Sequence, residues 1–265
     1  MTLSLLFENS FHTLASTFSY LMNGLNPHIS VDCVIFGFDG NHLKVLLIER
    51  EQVSEENPSV PSDLLKLPGN LISDTEDLDR SASRVLKELT GLDHIFLKQF
   101  SVFGSPDRLN NPNDLAWLRT TSGLSIDRVV TVAYYSLVKI NESNPTESLL
   151  EKTSWIPVNE IPYLIFDHNL IIEKALETLR KELRTEPIGF ELLPKKFSIR
   201  QLQNLYEVIL GNKLDNRNFR KKVGKLEYLI AQQEKEKGVN HKPALLYRFD
   251  KKLFVKNRKD VGFVI

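Results

Sequence analysis

The chain has 265 residues, 42% hydrophobic and 26% charged, and its 34 basic and 34 acidic side chains cancel. That composition is that of a soluble globular protein of one large or two modest domains. A single cysteine, Cys33, excludes a disulfide framework and a cysteine-based zinc site, and no apolar run is long enough to span a membrane.

The zero balance hides an asymmetry. From Lys195 to Ile265 there are 18 Lys and Arg against 7 Asp and Glu, a surplus of 11, and the preceding residues carry the matching deficit. A basic module tied to an acidic one points to a polyanionic partner.

In chain order, residues 1–28 read as an extension in which Phe11, Leu14, Phe18 and Leu21 recur at helical spacing. No basic start or small-residue cleavage pattern marks a secretory signal, so a cytoplasmic location is expected. Val31–Phe38 is an apolar strand holding Cys33 as a small core residue. Asp39-Gly40-Asn41 is a hairpin signal, with Leu43–Ile48 the returning strand. Ser54–Asp63 is a polar loop. After Leu67-Pro68-Gly69 comes a helix over about 75–90, with Ser73 and Glu76 spaced as a capping box. Phe96–Phe103, Arg128–Ile140 and the region of Trp155 and Ile156 read as further strands, and a helix runs from Asp167 to about Thr185. The stretch 105–127, with Trp117 inside it, reads as a long irregular insertion. Residues 187–194, with Pro187, Gly189 and Pro194, form the expected linker.

The helix over 75–90 carries the chemistry. Glu76, Arg84, Leu86, Glu88, Gly91 and Leu92 stand where the Nudix box, Gly-x5-Glu-x7-Arg-Glu-U-x-Glu-Glu-x-Gly-U (U, bulky aliphatic), places them. The segment therefore resembles that family. Asn70 replaces the first glycine, and Val85 and Leu89 replace two of three clustered carboxylates. Positions 85, 88 and 89 share one helix face. In an active enzyme of the family that face grips Mg²⁺, which demands octahedral oxygen ligands. Only Glu88 remains, so no metal, no cofactor and no efficient hydrolysis are expected, and Glu76, Arg84 and Glu88 are vestigial. Pro106-Asp107-Arg108 and Asp127-Arg128-Val129-Val130 resemble a stretch of regulatory Nudix domains. With Arg50, the residues Asp107, Arg108 and Arg128 are the candidate effector-binding set.

After the linker, Ser198 caps a helix closed by Gly211, and Asp215 caps a second whose stripe is Phe219, Val223, Leu226 and Ile230. Arg217, Asn218, Arg220, Lys221, Lys222 and Lys225 crowd its other faces. Gly238 to Phe249, with His241 and Lys242, reads as a wing. Two helices with a short turn, the second basic, form a helix-turn-helix pattern. Asn218 suits adenine, Arg217 or Arg220 suits guanine, and the lysines suit phosphates.

The two halves together resemble the Nudix-related transcriptional regulators of bacteria. The resemblance implies an α+β chain: a Nudix α/β/α sandwich with a mixed sheet over 29–186, then a winged helix-turn-helix domain over 195–265. It also implies a homodimer on a double-stranded DNA operator, with a small-molecule effector. By resemblance the effector is a sugar such as arabinose or a nucleotide sugar such as ADP-ribose; with the acidic cluster lost, a sugar is the first expectation. The alternative is a Nudix hydrolase of nucleoside diphosphate derivatives, which Glu76, Arg84 and Glu88 favour and Val85 and Leu89 oppose. An RNA-binding module would need exposed sheet aromatics, and the basic helix lacks that signature.

Overall fold

In the computed structural model, which describes residues 24–49, 65–140, 152–238 and 242–257, strands and helices alternate around one mixed sheet. The elements are β1 (Leu25–Phe38), β2 (Leu43–Glu49), β3 (Leu65–Lys66), β4 (Gly69–Ser73), α1 (Leu78–Thr90), β5 (Lys98–Phe103), α2 (Pro112–Ser122), β6 (Val130–Lys139), β7 (Thr153–Pro157) and α3 (His168–Leu183). β1 is the spine. β6 runs parallel to it from Ile29 to Phe38, and the remaining pairings are antiparallel. Its other edge serves two partners, β4 along Leu25–Asp32 and β2 along Phe36–Phe38.

Successive strand residues point to opposite faces. Val31, Cys33 and Ile35 pack with Ala82, Val85 and Leu86 of α1, while Val34, Phe36 and Phe38 share a cluster with Ile171, Ala175 and Leu179 of α3. A strand covered on both faces reads as a continuous apolar run, as this one does. Burial pushes the Cys33 thiol well above its usual range, with Asp32 adding to the effect.

Three sequence expectations change. The stretch 105–127 is not irregular: it holds a 3₁₀ turn, Pro106–Leu109, and the 11-residue α2. Asn111 caps α2 by accepting from the Asn113 amide, Pro112 takes its first position, and Gly123 closes it at φ 65°. Helix α1 starts at Leu78 because Asp77, not Ser73, is the cap and accepts from the Arg80 amide at 2.8 Å. Residues 187–192 are a packed 3₁₀ turn rather than an exposed linker. Phe190 is buried, stacks on Phe249 (centroids 4.4 Å apart) and leans on Phe197 (5.6 Å). The calls on residues 11–21, with Phe11, Leu14, Phe18 and Leu21, and on the loop Ser54–Asp63 lie outside the described residues.

The C-terminal module contains β8 (Phe197–Ser198), α4 (Ile199–Leu210), α5 (Asn216–Val223), β9 (Leu229–Lys235), β10 (Leu245–Phe249) and α6 (Lys251–Asn257). β10 sits between β8 and β9 in a three-stranded antiparallel sheet. A capping box of Ser198 and Gln201 starts α4, and Gly211 at φ 75° ends it. α5 is shorter than its stripe suggested. Gly224 ends it, Leu226 falls in the following turns and Ile230 is on β9.

One hydrophobic core joins the halves, running from Val34 and Leu179 through Phe190 and Leu193 to Leu205, Phe219 and Phe254. Two polar contacts reinforce the seam. Arg180 of α3 donates to the Ile209 carbonyl at 2.7 Å, and Asn204 of α4 donates to the Gly40 carbonyl of the β1–β2 hairpin.

Candidate functional site

A cleft of about 340 Å³ opens between β1, the β3–β4 corner, α1 and α2, a size suited to a small organic ligand. Its floor is a buried charge network. Arg108, on the 3₁₀ turn and only 4% exposed, places Nη2 3.4 Å from Asp32 and 3.1 Å from Asp167. His168 Nε2 lies 3.5 Å from Asp32. The Leu67 amide donates to His168 Nδ1 at 3.1 Å, which turns the Nε2 side of the ring to the carboxylate. Burial alone would raise the Asp32 carboxyl, but His168 and Arg108 outweigh it and hold the group well below the usual carboxylate range. Asp167 moves the other way. Burial raises it, and the neighbouring Asp32 adds to the rise against the pull of Arg108. Asp167 precedes α3 without capping it; its carboxylate faces Arg108 instead.

Gly69 makes room for this floor. It pairs with Asp32 across β1 and β4, and a Cβ there would stand 1.9 Å from Asp32 Oδ1 and 2.8 Å from the Val31 carbonyl. No side chain fits that approach.

The walls are apolar and aromatic. Trp117 of α2 lies 6.3 Å from Phe166, whose ring is 5.5 Å from His168. Phe166 sits at φ 54°, a left-handed conformation that L side chains adopt only under constraint; its amide donates to Asp114 at 3.3 Å. Lys66 reaches in from β3, with Nζ 5.7 Å from the Trp117 ring centroid.

The Nudix-like helix forms the remaining wall. Arg84 Nε donates to both oxygens of Glu76 at 2.9 Å, and Nη1 donates to Glu88 at 3.0 Å. Ser81 adds a second donor to Glu76. The Glu76 carboxylate is thus committed to its own helix, which is its role here in place of the expected cap. Val85 is 0% exposed beneath α1, and Leu89 lines the cleft. Among the described residues no three His, Cys, Asp or Glu side chains gather as a metal-binding group. A lone Glu88 paired to Arg84 does not fit a hard cation that wants six oxygens.

Of the four expected effector residues, Arg108 lines the cleft. Asp107 is exposed; its carboxylate accepts from Asn110, and its amide donates to Ser105. Arg128 is exposed and donates to the Gly104 carbonyl at 3.1 Å, while Arg50 is outside the described residues. Asp32, Lys66, Phe166 and His168 were not singled out in the sequence. Asp32 and Lys66 carried a usable signal, a charge inside an otherwise apolar strand.

The C-terminal module presents a second candidate surface. Asp215 caps α5 by accepting from the Asn218 amide, and Phe219 and Val223 turn inward. Arg217, Asn218, Arg220, Lys221 and Lys222 all face solvent. Arg220 is steadied by Asn216 (2.9 Å), and none of these cations has an ion-pair partner among the described residues. Three basic residues elsewhere in the module are paired, in Lys196–Glu234, Lys213–Glu207 and Arg248–Asp250. On α5, by contrast, four such cations crowd one short helix. Lys225 is exposed on the turn after it, and Lys242 is exposed before β10; His241 is outside the described residues.

Residues 189–249 match the NrtR DNA-binding winged helix domain. The whole arrangement is similar to the crystal structure of Shewanella oneidensis NrtR complexed with a 27mer DNA. The TM-score is 0.65 and the identity 25%, over 89% of this chain and 97% of that one. The chain thus joins a Nudix fold to a C-terminal winged helix domain, as the NrtR structure does. This NrtR-like chain is also 28% identical over 228 residues to the ADPR responsive transcriptional repressor NtrR of Acinetobacter baylyi, covering 84% of this chain and 82% of that protein. A MutT/nudix family protein from Enterococcus faecalis shares the fold at 22% identity, with a TM-score of 0.57 over 85% and 89% of the two chains. Among the described residues no helix of the NrtR-like chain is long and apolar enough to cross a membrane.

Proposed function

We propose that this protein is a transcriptional repressor whose winged helix binds an operator and whose Nudix-fold cleft senses ADP-ribose. The observation that carries the reading is a pairing within one continuous core. An exposed basic helix without internal counter-ions accompanies a Nudix box whose carboxylates are tied up or replaced. The first feature favours a polyanion; the second favours binding over hydrolysis.

Two observations support ADP-ribose over a free pentose. The Acinetobacter baylyi relative is ADPR responsive, and the cleft offers the Trp117 and Phe166 rings, an aromatic wall large enough for a purine face. α5 would enter the major groove, with Arg217, Asn218 and Arg220 toward base edges and Lys221, Lys222, Lys225 and Lys242 on phosphates. By its sequence position beside Lys242, His241 belongs with the backbone or minor-groove contacts. The working form would be a homodimer on a two-fold related operator. Ligand releases DNA only by binding one arrangement of that dimer better than the other.

A gel-shift with DNA from the protein's own genomic neighbourhood tests this. ADP-ribose should release the DNA and arabinose should not. Release by arabinose alone, or Mg²⁺-dependent turnover of ADP-ribose well above background, would overturn the reading. Arg220→Ala should weaken operator binding by about tenfold, the worth of one charged base or phosphate contact. Its melting temperature should stay unchanged, because the side chain is exposed. Wild-type affinity in that variant at moderate salt would remove α5 from the interface.

A further inference from the structure

We infer that Lys66 is the diphosphate-binding cation of the cleft, and that the site takes its nucleotide without a divalent metal. The inference rests on the ADP-ribose reading and concerns how that ligand is held.

Charge accounting within the cleft leads to it. Arg108 is met by Asp32 and Asp167, and Arg84 by Glu76 and Glu88. Lys66 has no such partner. It is 5% exposed, and no carboxylate lies within ion-pair distance of Nζ among the described residues. Its ammonium has three hydrogens to donate, and the structure accounts for one, to the Gly69 carbonyl at 3.3 Å. A buried charge with neither counter-ion nor a full set of acceptors is costly to keep. A ligand that brings the missing anion removes that cost.

Arg84, whose side chain also lines the cleft, holds a second unsatisfied donor. Arg84 Nη2 is buried without a hydrogen-bond partner, although Nε and Nη1 of the same guanidinium are engaged. Lys66 Nζ also lies over the Trp117 ring, so the cation adjoins the aromatic wall of the cleft. In an adenine nucleotide the diphosphate is one ribose away from the base, so both parts fall within one such cleft.

In an enzyme of this fold a metal held by the helix carboxylates neutralises the diphosphate. Here those positions are Val85, Leu89 and a Glu88 already paired, a set that does not fit Mg²⁺. A diphosphate diester carries two negative charges. The ammonium of Lys66 is placed to meet one of them, and the Arg84 guanidinium lines the same cleft.

Isothermal titration of the full-length protein with ADP-ribose, once in EDTA and once in Mg²⁺, tests the inference. The dissociation constants should agree within about twofold. Lys66→Gln should weaken ADP-ribose binding by about tenfold or more in both buffers, while Lys66→Arg keeps most of it. Adenosine, which lacks the diphosphate, should bind wild type and Lys66→Gln alike. Binding that appears only with Mg²⁺ would leave the ADP-ribose reading standing and overturn this inference; so would a Lys66→Gln protein that binds like wild type. No binding in either buffer would defeat both. The wild-type comparison needs no variant, so a Lys66→Gln protein that fails to fold still leaves a decisive result.

Discussion

Asp32→Ala should cost about 3–5 kcal/mol of folding stability, the loss expected when one partner of a buried ion pair is removed. Arg108 would keep its charge at 4% exposure with only Asp167 beside it. His168 Nε2 would lose the carboxylate it faces, and Gly69 would gain an unfilled space where Oδ1 stood. Asp32→Asn keeps the shape and an acceptor, so it should lose less. Urea unfolding measures both. A loss below about 1 kcal/mol for the alanine variant would mean that the network contributes little.

The acid limb of stability carries the same signature. Asp32 is held below its ordinary value of 3.8, so its carboxylate favours the folded state. That contribution is complete above the unfolded value near 4 and fades as the pH falls below it. Asp167 is raised, so it opposes folding once ionised, and acid relieves that opposition as pH falls through its raised value. Wild type should therefore lose stability between about pH 4 and pH 2 more steeply than Asp32→Ala. Parallel curves in that window would show that Asp32 is not the group concerned.

Val85→Glu, which restores one carboxylate of the Nudix box, should be more damaging than an inactive variant needs to be. The side chain is 0% exposed and packs in a cluster with Cys33, Ile35 and Leu46. A carboxyl buried there would stay protonated at pH 7, and holding that proton about three pH units above the ordinary glutamate value costs ~1.4 kcal/mol per unit. The expected loss is about 3–4 kcal/mol before any cost of fitting the longer side chain, a large share of the stability of a typical domain. Leu89→Glu is different, because Leu89 is half-buried on the cleft wall and solvent can reach a new carboxylate. It should shift the melting temperature by only a few degrees. A Val85→Glu protein that melts with wild type would mean that position 85 opens to the cleft, where a metal-gripping carboxylate belongs.

These variants separate what the sequence could reveal from what it could not. β1 was readable because Val31 to Phe38 is apolar at every step, and α4 because Ser198, Gln201 and Gly211 mark both its ends. α2 was harder. Its end signals, Asn111-Pro112 and Ser122-Gly123, are plain, but only Leu115 and Leu118 pack inward and no clear apolar stripe announces it. The 187–192 segment has the prolines and glycine of a linker. Its burial depends on Phe249 and Phe197 arriving from elsewhere in the chain. The cleft floor was least legible, because residues 32, 108, 167 and 168 meet only after β1, the 3₁₀ turn and α3 are assembled. Arg108 was picked out through its neighbours in a familiar stretch. Asp32 was betrayed only by being a charge inside an apolar run, which marks a buried polar residue without naming its partners.

Helix α3 has its first turn at His168, against the cleft floor, and near its far end Arg180 grips the Ile209 carbonyl of α4. Those twelve residue steps span about 18 Å. No proline or glycine interrupts α3, so it has none of the usual places to bend. A stiff α3 of this kind would act as a push-rod without a joint: a displacement of the cleft floor at His168 would reach the seat of the helix-turn-helix at Ile209 with little loss along the way.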